Sequence, residues 1–226
     1  MSDLHQAFSN PQHVAKYAEG PPRFVPGYTG MLCMTRLLLA ESAPQDARVL
    51  VLGAGGGLEM KAFAEAQPGW TFDGIDPSAA MLDLATQTLG PLVPRARLHQ
   101  GYIKDAPEEL YDAATCLLTL HFVPSSERLQ TLTEVRRRLK PGAPFVVVHF
   151  SIPQGEGERD LWSSRYAAFI IASGVDPELA AKASEAPKQL HILPPEQDEA
   201  ILREAGFSNV TLFYTGFTFR GWVAYA

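Results

Sequence analysis

Five consecutive residues, Gly53-Ala54-Gly55-Gly56-Gly57, and an aspartate further along the chain, Asp76, are the part of this sequence whose types and spacing could do chemistry. The glycines follow an apolar run, "RVLVLG" from Arg48 to Gly53, and open a helical pattern from about Leu58 to Ala66. At such a strand-to-helix turn a missing side chain lets the backbone bend sharply and approach a ligand more closely than any Cβ would permit. The dinucleotide spacing G-x-G-x-x-G breaks at Leu58, and the phosphate-loop pattern lacks its Gly-Lys-Ser/Thr. G-x-G-x-G fits, on Gly53, Gly55 and Gly57. Asp76 closes a second apolar run, "WTFDGID". In a doubly wound sheet its carboxylate lies beside the glycine loop, where it can accept both hydroxyls of a ribose. The competing reading of Asp76 is a carboxylate stabilised by the dipole of the helix that follows it.

The remaining titratable groups give two readings each. His121 and His149 end the fourth and fifth apolar runs, where either could serve a bound acceptor as general base or could accept a backbone hydrogen bond. His5, His13, His99 and His191, with Cys33 and Cys116, show no metal-ligand spacing, so no metal is expected. Glu108, Glu109 and Asp112 read as a solvated loop, and Arg136-Arg137-Arg138 as a solvated helix face.

The elements that must position these groups alternate in type, which is the signature of a parallel sheet covered on both faces. After the first two strands come the helix "PSAAMLDLATQTL", begun near Pro77 or Ser78, a third strand "ARLHQG" and a fourth, "YDAATCLLTL". Ser125 or Ser126 is expected to cap a helix that runs to about Leu139, and "APFVVVHFS" is a fifth strand. Residues 159–186 read as a helical insertion. A helix from about Pro195 to Ala205 and two closing runs, "VTLFYTG" and "FTFRGWVAYA", form the end of the chain. The short turn between those runs makes a hairpin, so one strand is antiparallel. The expected fold is α/β: a doubly wound, mostly parallel seven-stranded sheet with an antiparallel C-terminal strand and a helical insertion after the fifth strand. We read residues 1–226 as one domain, with 1–47 as an N-terminal helical cap and 152–193 as a lid over the ligand edge.

Composition narrows the class. A chain of 226 residues that is 46% hydrophobic can bury one sizeable core, and its formal net charge of −6 opposes a primary nucleic-acid groove. Two widely separated cysteines without a secretory leader point to reduced thiols in the cytoplasm. No apolar run reaches roughly 18 residues, so no membrane span is expected.

These motifs resemble those of class I S-adenosylmethionine-dependent methyltransferases, with a Rossmann-like fold, over nearly the whole chain: "RVLVLGAGGG", "GIDPSAAML", "EVRRRLKPGAPFVVVH" and "REAGFSNVTLFYTGF". Within that superfamily "VPGYTGML", "LTLHFVPSSER" and "FTFRGWVA" resemble the carboxy-S-adenosylmethionine synthases. The resemblance implies S-adenosyl-L-methionine as cofactor, with its methionine end at Gly53, Ala54 and Gly55, in the loop that Gly57 completes, and beneath Tyr28. It implies the ribose at Asp76 and the adenine beside Pro77, Met81, Gly101, Tyr102 and Ile103; core packing is the equal alternative for Met81. Leu117 stands where the synthases carry a ligand-contacting asparagine, Tyr102 where many relatives carry aspartate, and Val51 where an acid is frequent. Ala183 stands where the synthases carry a carboxylate-pairing arginine, with Lys182 and Lys188 nearby. The implied activity is methyl transfer to a small or medium acceptor, with Trp162, Tyr166, Phe169 and Ile170 as lid liners or core residues. The alternatives are a carboxy-S-adenosylmethionine synthase, which would take its carboxyl group from prephenate, and a non-catalytic cofactor-binding protein. The synthase likeness and the apolar helix from Gly30 to Ala40 also suggest a homodimer.

Overall fold

A computed structural model describes residues 20–226, with residues 186–189 described by their backbone alone. Seven strands form one sheet: β1 (Arg48–Leu52), β2 (Thr71–Asp76), β3 (Ala96–Gln100), β4 (Ala113–Leu117), β5 (Pro144–Phe150), β6 (Ser208–Gly216) and β7 (Phe219–Tyr225). Their order is β3-β2-β1-β4-β5-β7-β6. The first five are parallel, and β7 runs antiparallel to both of its neighbours, as the hairpin requires.

The central strands are buried at every position of β4 and β5, which is why they read as unbroken apolar runs. Successive side chains serve opposite faces. Val49, Val51, Val146 and Val148 pack into one core cluster, while Leu50, Leu52, Phe145 and Val147 pack into the other. The edge strand β6 is half exposed.

The helices are α1 (Pro21–Phe24), α2 (Tyr28–Ala40), α3 (Leu58–Ala66), α4 (Ala79–Leu89), α5 (Ser125–Arg137), α6 (Glu158–Ala172), α7 (Pro177–Gln189) and α8 (Pro195–Glu204). Prolines at the first positions of α1 turn "GPPRF" into a helical turn, since a missing N–H costs nothing there. Gly27, at φ 65°, then starts α2 two residues earlier than the apolar pattern indicated, and α2 buries Met31, Leu32, Thr35 and Leu39.

Four expectations need correction. The fourth strand stops at Leu117, because Leu118 adopts φ 58° and turns the chain. The cap of α5 is Pro124, without a side-chain bond, rather than a serine. The insertion is two helices, broken at Ser173-Gly174 and restarted by Asp176, whose Oδ1 accepts from Glu178 N at 2.9 Å and Leu179 N at 3.3 Å. Arg138 is not solvated: at 2% exposure it turns inward and pairs with Glu134, while Arg137 stays outside between Glu108 and Glu134.

Candidate cofactor and acceptor site

The loop after β1 carries a left-handed backbone at Gly53 (φ 79°), Gly55 (φ 49°) and Gly57 (φ 80°). Those are the three positions of the G-x-G-x-G pattern, and only glycine adopts that conformation without steric cost. A Cβ on Gly53 would overlap the Thr119 side chain, and one on Gly57 would lie 2.9 Å from the Ala85 backbone. The loop is therefore pressed both against the chain leaving β4 and against α4.

Backbone bonds tie this loop to the end of β2. Gly53 N and Ala54 N both donate to Ile75 O, at 2.8 and 2.9 Å. The Asp76 carboxylate accepts from Gly55 N at Oδ2 and from Ser78 N at Oδ1, each at 2.9 Å. Asp76 thus lies beside the glycine loop and also accepts from the start of the α4 turn. Ser78 Oγ caps that helix by accepting from Met81 N. Gly101 N donates to Asp76 O at 3.0 Å, and the Gln100 amide donates to Pro77 O, so the end of β3 joins the same edge.

The expected site residues fall in distinct places. Gly53, Ala54, Gly55, Gly57, Asp76, Pro77 and Gly101 meet where β1, β2 and β3 end. Met81, Ile103 and Leu117 are buried apolar residues at 2, 6 and 3% exposure, whereas the Tyr102 ring is exposed and its N–H donates to Asp105. Tyr28 opens α2, packed against the core cluster that contains Val49 and Val51. The Tyr214 hydroxyl donates to Pro26 O, which fastens the segment before Tyr28 to β6.

Two residues of this edge escaped the sequence reading. Thr119, whose Oγ1 donates to Leu117 O at 3.0 Å, fills the space over Gly53. Glu59, in the first turn of α3, is buried and accepts a 2.7 Å hydrogen bond from Thr115. Burial pushes its carboxyl up to about 8, the Thr115 bond pulling the other way, so it is largely protonated at neutral pH. A single acid inside a helical pattern gave no signal of either fact.

The histidines have structural surroundings. His121 is buried, and its Nδ1 accepts from Phe150 N at 3.3 Å. Burial, with His149 and Arg128 close by, holds it well below the ordinary imidazole range, hence neutral. His149 lies with Nε2 3.2 Å from Asp198 Oδ1, the same oxygen that takes Arg128 Nη1 at 2.8 Å. Arg128 also donates to His191 O, and His191 N donates to His121 O. These four side chains tie α5, α8 and the end of the insertion to β5; the general-base reading of the histidines finds no support in them. His5 and His13 lie outside the described residues, as do the first 19 positions of the expected cap.

A methyltransferase-domain family model matches residues 49–142, the span from β1 to the start of β5. The carboxy-S-adenosyl-L-methionine synthase of Chromohalobacter salexigens is 28% identical over 220 residues, covering 94% of this chain and 80% of that protein. The one from Actinobacillus succinogenes is 26% identical, over 89% and 86% respectively. These matches support reading the chain as a class I S-adenosylmethionine-dependent methyltransferase. Solved structures of this fold include an O-methyltransferase family protein from Burkholderia thailandensis, with TM-score 0.70, 15% identity and coverage of 96% of this chain and 61% of that one. They also include phosphoethanolamine N-methyltransferase 2 from Haemonchus contortus with S-adenosyl-L-methionine, with TM-score 0.68, 14% identity and coverage of 96% and 57%. The chain thus spans about three fifths of the length of these structural neighbours, and their likeness speaks to the fold.

S-adenosylmethionine is the cofactor of this family, and the donor set here fits it. The loop offers backbone without side chains at Gly53, Gly55 and Gly57, and the edge carries one carboxylate, Asp76. Among the described residues no helix is long and apolar enough to cross a membrane.

Proposed function

We propose that this methyltransferase transfers the methyl group of S-adenosylmethionine to a small or medium acceptor, held between the ends of β4 and β5 and the α6–α7 insertion. The observation that carries this reading is the Asp76 carboxylate held on Gly55 N and Ser78 N beside three left-handed glycines. When bound, the cofactor supplies an electrophilic methyl group on a sulfonium. In the reading proposed, the Gly53–Gly57 backbone lets its methionine end approach, with Tyr28 and Leu117 as walls. Asp76 receives the ribose hydroxyls, and Pro77, Met81, Gly101, Tyr102 and Ile103 enclose the adenine. The protein's contribution to an in-line displacement is alignment and exclusion of water, so no general base is assigned.

The reading extends to the whole chain as one domain, with the insertion as lid and residues 1–47 as cap. The net charge favours a small-molecule acceptor over nucleic acid, free thiols suit the cytoplasm, and a homodimer is the assembly we expect.

A second reading, a carboxy-S-adenosylmethionine synthase, is favoured by the names of the relatives. It lacks an arginine at the position of Ala183 on α7, where Lys182 is exposed. Mass spectrometry of the ligand retained on gentle purification separates the readings. S-adenosylmethionine or its demethylated product supports the first, and the carboxylated sulfonium supports the second. Calorimetry in which nicotinamide dinucleotides bind and S-adenosylhomocysteine does not would overturn both. Tyr28→Ala is expected to weaken S-adenosylhomocysteine about tenfold, measured by the same titration.

A further inference from the structure

Arg220, the second residue of β7, stands in register with His149 of β5. It therefore lies along the edge at which Leu118 N donates to Val148 O and Thr119 seats on Gly53. Three ladder steps separate β7 from β1, about 14 Å at ~4.8 Å per step.

Arg220 is 9% exposed, and its Nη1 donates to Phe219 O at 2.9 Å and to Phe217 O at 2.5 Å. Its guanidinium carbon lies 5.3 Å from the centre of the Trp162 ring, and that of exposed Arg165 lies 4.7 Å from the same ring. The indole N–H of Trp162 donates to Glu158 Oε2 at 2.8 Å, which fixes the ring.

The chain treats its other deeply buried arginines differently. Arg128 has Asp198 and Arg138 has Glu134, whereas among the described residues no carboxylate comes within 4.0 Å of Arg220 or Arg165. Burying a cation without an anion costs several kcal/mol in general, and two carbonyls and a ring face offset that cost less fully than a carboxylate would. Both protein acceptors of Arg220 take Nη1, and the Nε–Nη2 edge, the planar fork that suits bidentate oxyanion recognition, has no protein acceptor among the described residues. Three peripheral pieces converge here. Tyr166 of α6 packs on Phe219, Phe169 on Phe217, and Tyr214 holds Pro26 of the segment that leads to Tyr28.

We propose that the Nε–Nη2 edge of Arg220, with Arg165 at the same Trp162 ring, binds the oxyanion group, carboxylate or phosphate, of the methyl acceptor. The inference rests on the methyltransferase reading and adds a substrate class to it: an anionic molecule whose charged group lies about two ladder steps, ~10 Å, from the atom that is methylated.

The test uses the full chain saturated with S-adenosylhomocysteine and labelled at arginine nitrogens. It is titrated separately with phenylacetate, phenyl phosphate and neutral phenylacetamide, while the Nε–Hε resonances are followed and assigned with Arg220→Lys and Arg165→Lys. The expected result is a saturable shift of both resonances with one or both anions and none with the amide; the stronger anion identifies the oxyanion. Arg220→Lys should weaken that anion at least tenfold and the surface variant Arg165→Ala about threefold. Affinity for S-adenosylhomocysteine should change less than twofold in both variants. Equal response to phenylacetamide, no saturable shift, or unaltered anion affinity in both variants would overturn the anionic subsite while leaving the cofactor reading intact. Failure of the wild-type chain to bind S-adenosylhomocysteine would overturn the methyltransferase reading and the proposal with it.

Discussion

The two sides of the sheet build their ligand edges by different means. From β1 to β3 the edge is mostly backbone: left-handed glycines, main-chain donors and one carboxylate satisfied by two of them. From β4 to β7 it is side chains drawn from distant parts of the chain, with Arg128, Asp198, His149 and His121 buried together and Arg220 set against Trp162. Backbone devices hold one shape for a shared cofactor. Side-chain devices can change from one acceptor to another without disturbing that shape.

Variants should separate the two sides by size of effect. Asp198→Ala strands Arg128 as a buried cation and removes the carboxylate that lies 3.2 Å from His149, so a loss of about 3–5 kcal/mol is expected from urea unfolding. S-adenosylhomocysteine affinity, extrapolated to the folded fraction, should barely change. Gly53→Ala combines φ 79° with overlap on Thr119, and about 2–4 kcal/mol should be lost together with cofactor binding. A second change, Thr119→Gly, should restore part of the stability; no coupling between the two would contradict the packing described.

Glu59 gives a pH-dependent contrast. Its folded carboxyl titrates near 8 and its unfolded one near 4.5, so its favourable contribution is full below the unfolded value and is lost as pH rises through the folded one. Unfolding between pH 5 and 8 should show a decline of up to about 1.4 kcal/mol per pH unit that is absent in Glu59→Gln. Ser78→Ala removes one cap of α4 and should cost about 1 kcal/mol in the same assay, with a modest loss of cofactor affinity.

The comparison also explains what the sequence made legible. G-x-G-x-G is local, and each glycine answers to a φ value within five residues; Asp76 sits at a strand end whose place follows from the alternation of elements. The strands were readable for the same reason, since β5 is buried along its whole length and carries no polar interruption until His149. The Leu118 turn was hidden because an apolar run says nothing about where φ changes sign. Arg138 was misread because three consecutive arginines point in three directions on a helix, and only tertiary packing decides which goes inward. Arg220 and Trp162 lie far apart in sequence, and nothing local announces that one covers the other.

The central claim is that Asp76 and the glycine loop form one cofactor site. Calorimetric titration of S-adenosylhomocysteine into wild type and Asp76→Ala tests it most directly. The account predicts saturable one-to-one binding by the wild type and an affinity at least tenfold weaker in the variant, with circular dichroism unchanged. Equal affinity in the two proteins would contradict it.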